Sequence, residues 1–123
     1  MNRVIVVDDD YSTTSLIKML LEIEGYEVFT FGEITKVMQA AEAGVTVFII
    51  DCYLGKNATG IDLLRSIRRH PDAAVRNAPV IMVSGDERIA ARVVSEGADL
   101  FLLKPYSPNA LTTEIKELIA SKA

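Results

Sequence analysis

Four apolar runs punctuate the chain: Val4–Val7, Val45–Ile50, Val80–Val83 and Leu100–Leu103. They are short, rich in β-branched residues and bounded by polar residues, and they do not alternate. Such runs read as strands buried on both faces. Tyr26–Phe31 reads as one further strand, and the first strand covers about 3–8. Between the strands the periodicity becomes helical. Leu16, Leu20 and Ile23 recur at i, i+4 and i+7 over about 12–24, with Ile17 and Leu21 beside them. Ser12 and Thr13 are the candidate N-caps of this helix and Gly25 its C-terminal stop. Further helices are expected at about 33–43, 60–70, 87–96 and 108–121, ended by Gly44, Pro71 and Gly97 in turn, with Pro108 in the last one's first turn. Residues 52–59 read as a loop and 72–79 as a polar connection.

Strands that alternate with helices predict an α/β fold, a parallel sheet with helices on both faces. Right-handed crossovers wind five such units into a doubly wound sheet of order 2-1-3-4-5, with one domain filling residues 1–123. The switch point of that order lies between strands 1 and 3. Ligands bind there, outside the carboxyl ends of the strands.

Composition narrows the function classes. A chain of 123 residues is one domain with a real core. Its net charge of −4 leaves no basic footprint for nucleic acid. Arg65, Arg68 and Arg69 form the densest basic group, and the plain reading of that group is a solvated helical face. A single cysteine, Cys52, excludes an internal disulfide. No apolar stretch reaches the roughly 18 residues of a membrane span, and Met1-Asn2-Arg3 leads straight into a strand without a signal-like segment. These features suit a cytoplasmic protein that keeps off membranes.

The chemistry gathers at the ends of the runs. Asp8 and Asp9 close the first strand, Asp51 the third, Ser84 the fourth, and Lys104 follows the fifth. Singly, each has a plain reading: strand-end acids before a helix N-terminus, a turn hydroxyl before Gly85, a solvated lysine before Pro105. Together they put three acids, a hydroxyl and an ammonium in one crevice. Two carboxylates about 4–5 Å apart repel by roughly 3–4 kcal/mol at an effective dielectric near 20. A cation relieves that repulsion, and an oxygen-only ligand set selects a hard ion, Mg2+ first. One Mg2+ and Lys104 would neutralise the three acids, and a neutral crevice accepts a phosphoryl group that a bare one would repel.

With those residues in place, the chain resembles the receiver domain of two-component response regulators, a chemotaxis-regulator-like, flavodoxin-like domain, over essentially its whole length. The matching segments are Val6-Val7-Asp8-Asp9-Asp10, Ile49-Ile50-Asp51, Pro79 to Gly85, Gly97-Ala98-Asp99 and Leu103-Lys104-Pro105-Tyr106. The resemblance implies that Asp51 is the phosphoacceptor, a carboxylate nucleophile fed by a sensor histidine kinase or a histidine phosphotransfer protein. It implies that Asp8 and Asp9 bind Mg2+ with Asp51, Asp9 most directly, and that the backbone carbonyl of Tyr53 completes the metal shell. Lys104 would pair with the phosphoryl oxygens, Ser84 would be the switch hydroxyl and Phe101 the aromatic that turns when Ser84 moves. It further implies a cis Lys104–Pro105 peptide and a phosphorylation-driven shift of the helix 4, strand 5 and helix 5 face. No enzyme in the ordinary sense is implied, because such a domain promotes only its own aspartyl phosphorylation and dephosphorylation. The downstream target is open, with room for a phosphorylation-dependent homodimer.

The loop Leu54 to Gly60 departs from the family pattern, lacking its usual proline and placing Gly60 one residue late. Cys52 reads as a small core residue and His70 as an exposed helix-end histidine. A nucleotide binder of the same fold would need amide-rich phosphate loops where this chain has acids, and Lys56 lacks the glycines of a phosphate loop. An aspartyl-nucleophile hydrolase usually has a second acid where Tyr53 stands. The remaining alternative is a receiver-like interaction module that is never phosphorylated, against which the retention of all five site residues argues. The chain ends just past its last helix, as expected of either a stand-alone receiver or a piece of a longer regulator.

Overall fold

A computed structural model describes residues 2–55 and 58–122. Five parallel strands form the main sheet: β1 (Arg3–Val7), β2 (Glu27–Phe31), β3 (Val47–Asp51), β6 (Val80–Ser84) and β7 (Leu100–Leu103). Their order is β2-β1-β3-β6-β7. Counted within this sheet alone, that is the expected 2-1-3-4-5.

Alternate residues of the same strand enter two separate cores. Val4, Val6, Val47, Ile49, Ile81 and Val83 pack with Ile17 and Leu21 of α1 (Tyr11–Ile23) and with Leu111 and Ile115 of α6 (Pro108–Lys122). Ile5, Val7, Phe48, Ile50, Val80 and Met82 face the other way. They meet Val37 of α2 (Val37–Glu42), Leu64 and Ile67 of α3 (Gly60–Arg68), Val75 of α4 (Ala73–Arg76) and Val93 of α5 (Ala90–Ser95). Because both faces are covered, the central strands are apolar at every position before the polar residues, Asp51 and Ser84, that end β3 and β6.

Several element boundaries differ from the sequence reading. The first helix starts at Tyr11, and its N-cap is Asp10 rather than Ser12 or Thr13. The Asp10 carboxylate accepts from the amides of Ser12 and Thr13 and from the Thr13 hydroxyl. The expected helix at 33–43 is only α2, because Gly32 to Lys36 offer one apolar anchor, Ile34, and no stripe to pack. Residues 72–79 contain the single turn α4, capped by Asp72. Residues 87–89 form a 3-10 turn leading into α5, capped by Asp86. The expected loop at 52–59 holds a two-residue antiparallel ladder, β4 (Tyr53–Leu54) with β5 (Ala58–Thr59). Lys56 and Asn57, within the loop that departs from the family pattern, lie outside the described residues.

The arginine group is not a solvated face. The Arg68 guanidinium donates to the carbonyls of Gly97, Arg76 and Ala78 and to the Asp99 carboxylate, all at 2.7–2.9 Å. Arg65 pairs with Glu96 at 2.7 Å. Only Arg69 of the three is exposed. The fork of Arg68 thus ties α3 to the segments that precede β6 and β7, a role for which a planar five-donor group is suited. His70 is likewise largely covered. Its Nδ1 accepts from the Asp72 amide and its Nε2 lies 3.6 Å from Glu42. That places it where α2 and α3 end, at the opposite edge of the sheet from the acids.

Candidate functional site

The site begins where the parallel strands stop. The Asp8 amide donates to the Phe31 carbonyl, continuing the β1–β2 pairing one step beyond β1. This fixes the Asp8 carboxylate in a buried position between the strand ends. Its Oδ1 accepts from the Asp10 amide at 2.9 Å and its Oδ2 from Lys104 Nζ at 2.9 Å. Asp9, next in the chain, is exposed at the mouth.

Asp51 ends β3, the central strand, and is buried. The following peptide is anchored by Cys52, whose amide donates to the Val83 carbonyl at 2.9 Å. The Asp51 carboxylate accepts from the Tyr53 amide through Oδ1 at 3.0 Å and from Lys104 Nζ through Oδ2 at 2.8 Å. Lys104 is held by its own backbone, whose amide donates to the Ser84 carbonyl at 2.8 Å, and its peptide to Pro105 is cis as expected. One ammonium therefore bridges Asp8 and Asp51. Burial alone would lower the lysine's pKa; the hydrogen bonds and charges of Asp51 and Asp8 outweigh it and raise it well above the ordinary value. The lysine stays charged at any physiological pH.

Ser84 ends β6 fully buried, and its Oγ accepts from the Asp86 amide at 3.0 Å. Phe101, on the edge strand β7, is half-buried against the core of the α3–α5 face. Tyr53 is 48% exposed at the rim. Cys52 is buried, as expected of a small core residue, and burial together with the Asp51 charge pushes its thiol up to about 11.

The carboxylates of Asp8, Asp9 and Asp51 bring ligand oxygens within 4.8 Å of one another. At formal charge Lys104 offsets one of the three, leaving two negative charges beside each other; among the described residues no other basic side chain forms a salt bridge with these three acids. An all-oxygen set of this size and charge fits a hard divalent cation. Asp8, Asp9, Asp51, Ser84 and Lys104 thus meet at one edge of the sheet. The sequence reading missed two supports. Asp10 serves as a helix cap, although Asp at that place is a standard capping signal. Gly60 backs the Asp51 peptide, signalled only by its lateness in the loop.

A doubly wound sheet of this order, with acids and a bridging lysine at its switch point, defines a flavodoxin-like signalling domain of the two-component type. A family model described as "Response regulator receiver domain" matches residues 4–116, and the chain belongs to that family. It is 31% identical over 121 residues to the transcriptional regulatory protein CpxR of Escherichia coli K12, covering 97% of this chain and 50% of CpxR. The chain thus spans about half the length of this curated relative. A response regulator receiver domain protein from Clostridium thermocellum superposes with a TM-score of 0.87 at 29% identity, covering 99% of this chain and 97% of that one. A CheY-like receiver domain protein from Methanospirillum hungatei does so with a TM-score of 0.87 at 27% identity, over 98% and 95%. Receiver domains are the phosphoacceptors of two-component systems, and they typically bind Mg2+. Among the described residues, no helix is long and apolar enough to cross a membrane.

Proposed function

We propose that this chain is a single receiver domain that records a phosphoryl group on Asp51 and uses it to switch its α5–β7–α6 face. The observation that carries the reading is the Lys104 ammonium held at 2.8–2.9 Å between Asp51 and Asp8, inside a three-carboxylate cluster. Asp8, Asp9 and Asp51, with the Tyr53 carbonyl, would hold Mg2+. The ion, when bound, supplies charge neutralisation for the equatorial phosphoryl oxygens.

The chain's own residues do the rest. An Asp51 carboxylate oxygen attacks phosphorus in line. The O–P bond forms as the P–N bond of a donor phosphohistidine breaks, and the imidazole leaves with the electron pair. Lys104 stays within reach of the new phosphoryl oxygens and keeps them from repelling Asp8. Ser84 turns its O–H toward the same group, which adds charge and strong acceptors beside it. Its movement vacates room for the Phe101 ring to turn inward, and the balance of the α5–β7–α6 face shifts. Hydrolysis of the acyl phosphate resets the domain, so the only reaction it promotes is on itself.

The donor would be a sensor histidine kinase or a histidine phosphotransfer protein in the cytoplasm, where ATP charges such a kinase. Support for a protein donor comes from α1, which leaves Tyr11, Leu16, Met19 and Ile23 exposed on the helix that starts beside Asp9. Incubation with Mg2+ and acetyl phosphate should add one acid-stable, base-labile phosphoryl group to the intact protein, detected by mass spectrometry. Asp51→Asn should take none. A phosphoryl group that persists in that variant sinks the acceptor assignment. Unchanged Mg2+ affinity in Asp9→Ala sinks the metal assignment.

A further inference from the structure

Gly60 is the first residue of α3, and it lies flush against the peptide of Asp51. Its amide donates to the Cys52 carbonyl at 2.9 Å. A Cβ built on Gly60 would fall inside the van der Waals envelope of the Asp51 carbonyl oxygen, 2.8 Å from both the Asp51 carbonyl carbon and Ile50 Cγ2. Two of those three atoms are backbone, so no side-chain rotation relieves the clash. On the other side, the Cys52 amide is bonded to the Val83 carbonyl. The peptide that carries Asp51 is therefore gripped between β6 and the start of α3. The β4–β5 ladder returns the chain to make this contact, pairing Tyr53 with Thr59, and the Thr59 hydroxyl caps α3 by accepting from the Asp62 amide.

We infer that Gly60 is a positioning residue for phosphoryl transfer: its bare Cα lets the start of α3 press on the Asp51 peptide and aim the carboxylate at the incoming phosphorus. The inference rests on the reading of Asp51 as acceptor. In-line transfer is steep in geometry, and a displacement of about 1 Å costs on the order of 100-fold in rate. Many glycines at helix starts serve only the turn. Here the close approach is to the acceptor's own peptide.

The test compares maximal phosphorylation rates at saturating acetyl phosphate and Mg2+. Gly60→Ala should lose about tenfold or more in maximal rate. Ile67→Ala, which opens the same helix's buried face far from Asp51, should keep the wild-type rate even where it loses as much stability to urea. Should Gly60→Ala fail to fold, a second pair decides. Thr59→Ala, which loosens the start of α3 without a clash, should slow the maximal rate several-fold. Asp72→Ala removes an equivalent cap from α4 and should leave it unchanged. Wild-type rates in folded Gly60→Ala, or in Thr59→Ala where the first variant cannot be made, overturn the inference. So does equal slowing in the Ile67 or Asp72 control. If the wild-type chain itself takes no phosphoryl group, the acceptor reading falls, and with it the inference built on it.

Discussion

At the scale of single residues, the site is a problem in placing charge. Asp8 and Asp51 are buried acids, tolerable because Lys104 reaches both and because backbone amides of Asp10 and Tyr53 donate to them. Burial of unpaired carboxylates would cost several kcal/mol each, so these partners decide whether the crevice exists at all. Cys52 shows the same environment acting on a neutral group. Its thiol stays protonated up to about 11 in the folded chain against 9.0 in the ordinary case. Above pH 9 the unfolded chain therefore releases a proton that the folded one keeps. The Cys52 contribution to stability is whole below pH 9 and declines as pH rises from 9 toward 11. The native protein should accordingly resist iodoacetamide at pH 8 and react once unfolded in urea. Rapid alkylation of the native chain would show that the thiol is accessible.

At the scale of elements, the strands were the legible part. The stretch Val47–Ile50 is apolar at every position because two cores share it, and its shortness and β-branched residues mark it as a strand rather than a buried helix. Helix ends were less legible, since Asp10, Ser12 and Thr13 all have capping side chains and only the path of the chain out of β1 selects Asp10. The β4–β5 ladder was hidden for a similar reason: two residue pairs carry no periodicity. Arg68 was misread because a basic residue on a helix gives no sign in sequence of the three carbonyls waiting across space. Its fork predicts a large effect. Arg68→Ala should lower the unfolding free energy by about 2–4 kcal/mol, seen as a lower urea midpoint, because several acceptors lose a charged donor at once. Arg68→Lys should recover only part of it. A loss within about 0.5 kcal/mol would mean water satisfies those carbonyls equally well. The exposed face of α1 predicts a functional split instead. Ile23→Glu, at a position 76% exposed, should slow transfer from a phosphorylated kinase without changing the rate from acetyl phosphate. Equal rates from the kinase in both proteins would remove α1 from the docking surface.

At the scale of the whole molecule, the fold does one thing for the function: it brings the carboxyl ends of β1, β3, β6 and β7 together at one edge. Residues far apart in sequence, such as Asp8 and Lys104, become hydrogen-bonded neighbours. The order of the apolar runs was enough to anticipate that meeting, because a parallel sheet of this topology permits one placement of its strand ends. The contact between Gly60 and the Asp51 peptide was barely legible, because the position of Gly60 in its loop hints at a special place while the backbone approach itself depends on the folded path. The proposed switch requires that Asp51 carry the phosphoryl group as an acyl phosphate. Borohydride reduces an aspartyl phosphate to homoserine, so the protein should be charged with acetyl phosphate and Mg2+, reduced, digested and sequenced by mass spectrometry. Homoserine at position 51, absent when Mg2+ is withheld, is the predicted result. Homoserine at another aspartate, or none in protein that has gained a phosphoryl group, would contradict it.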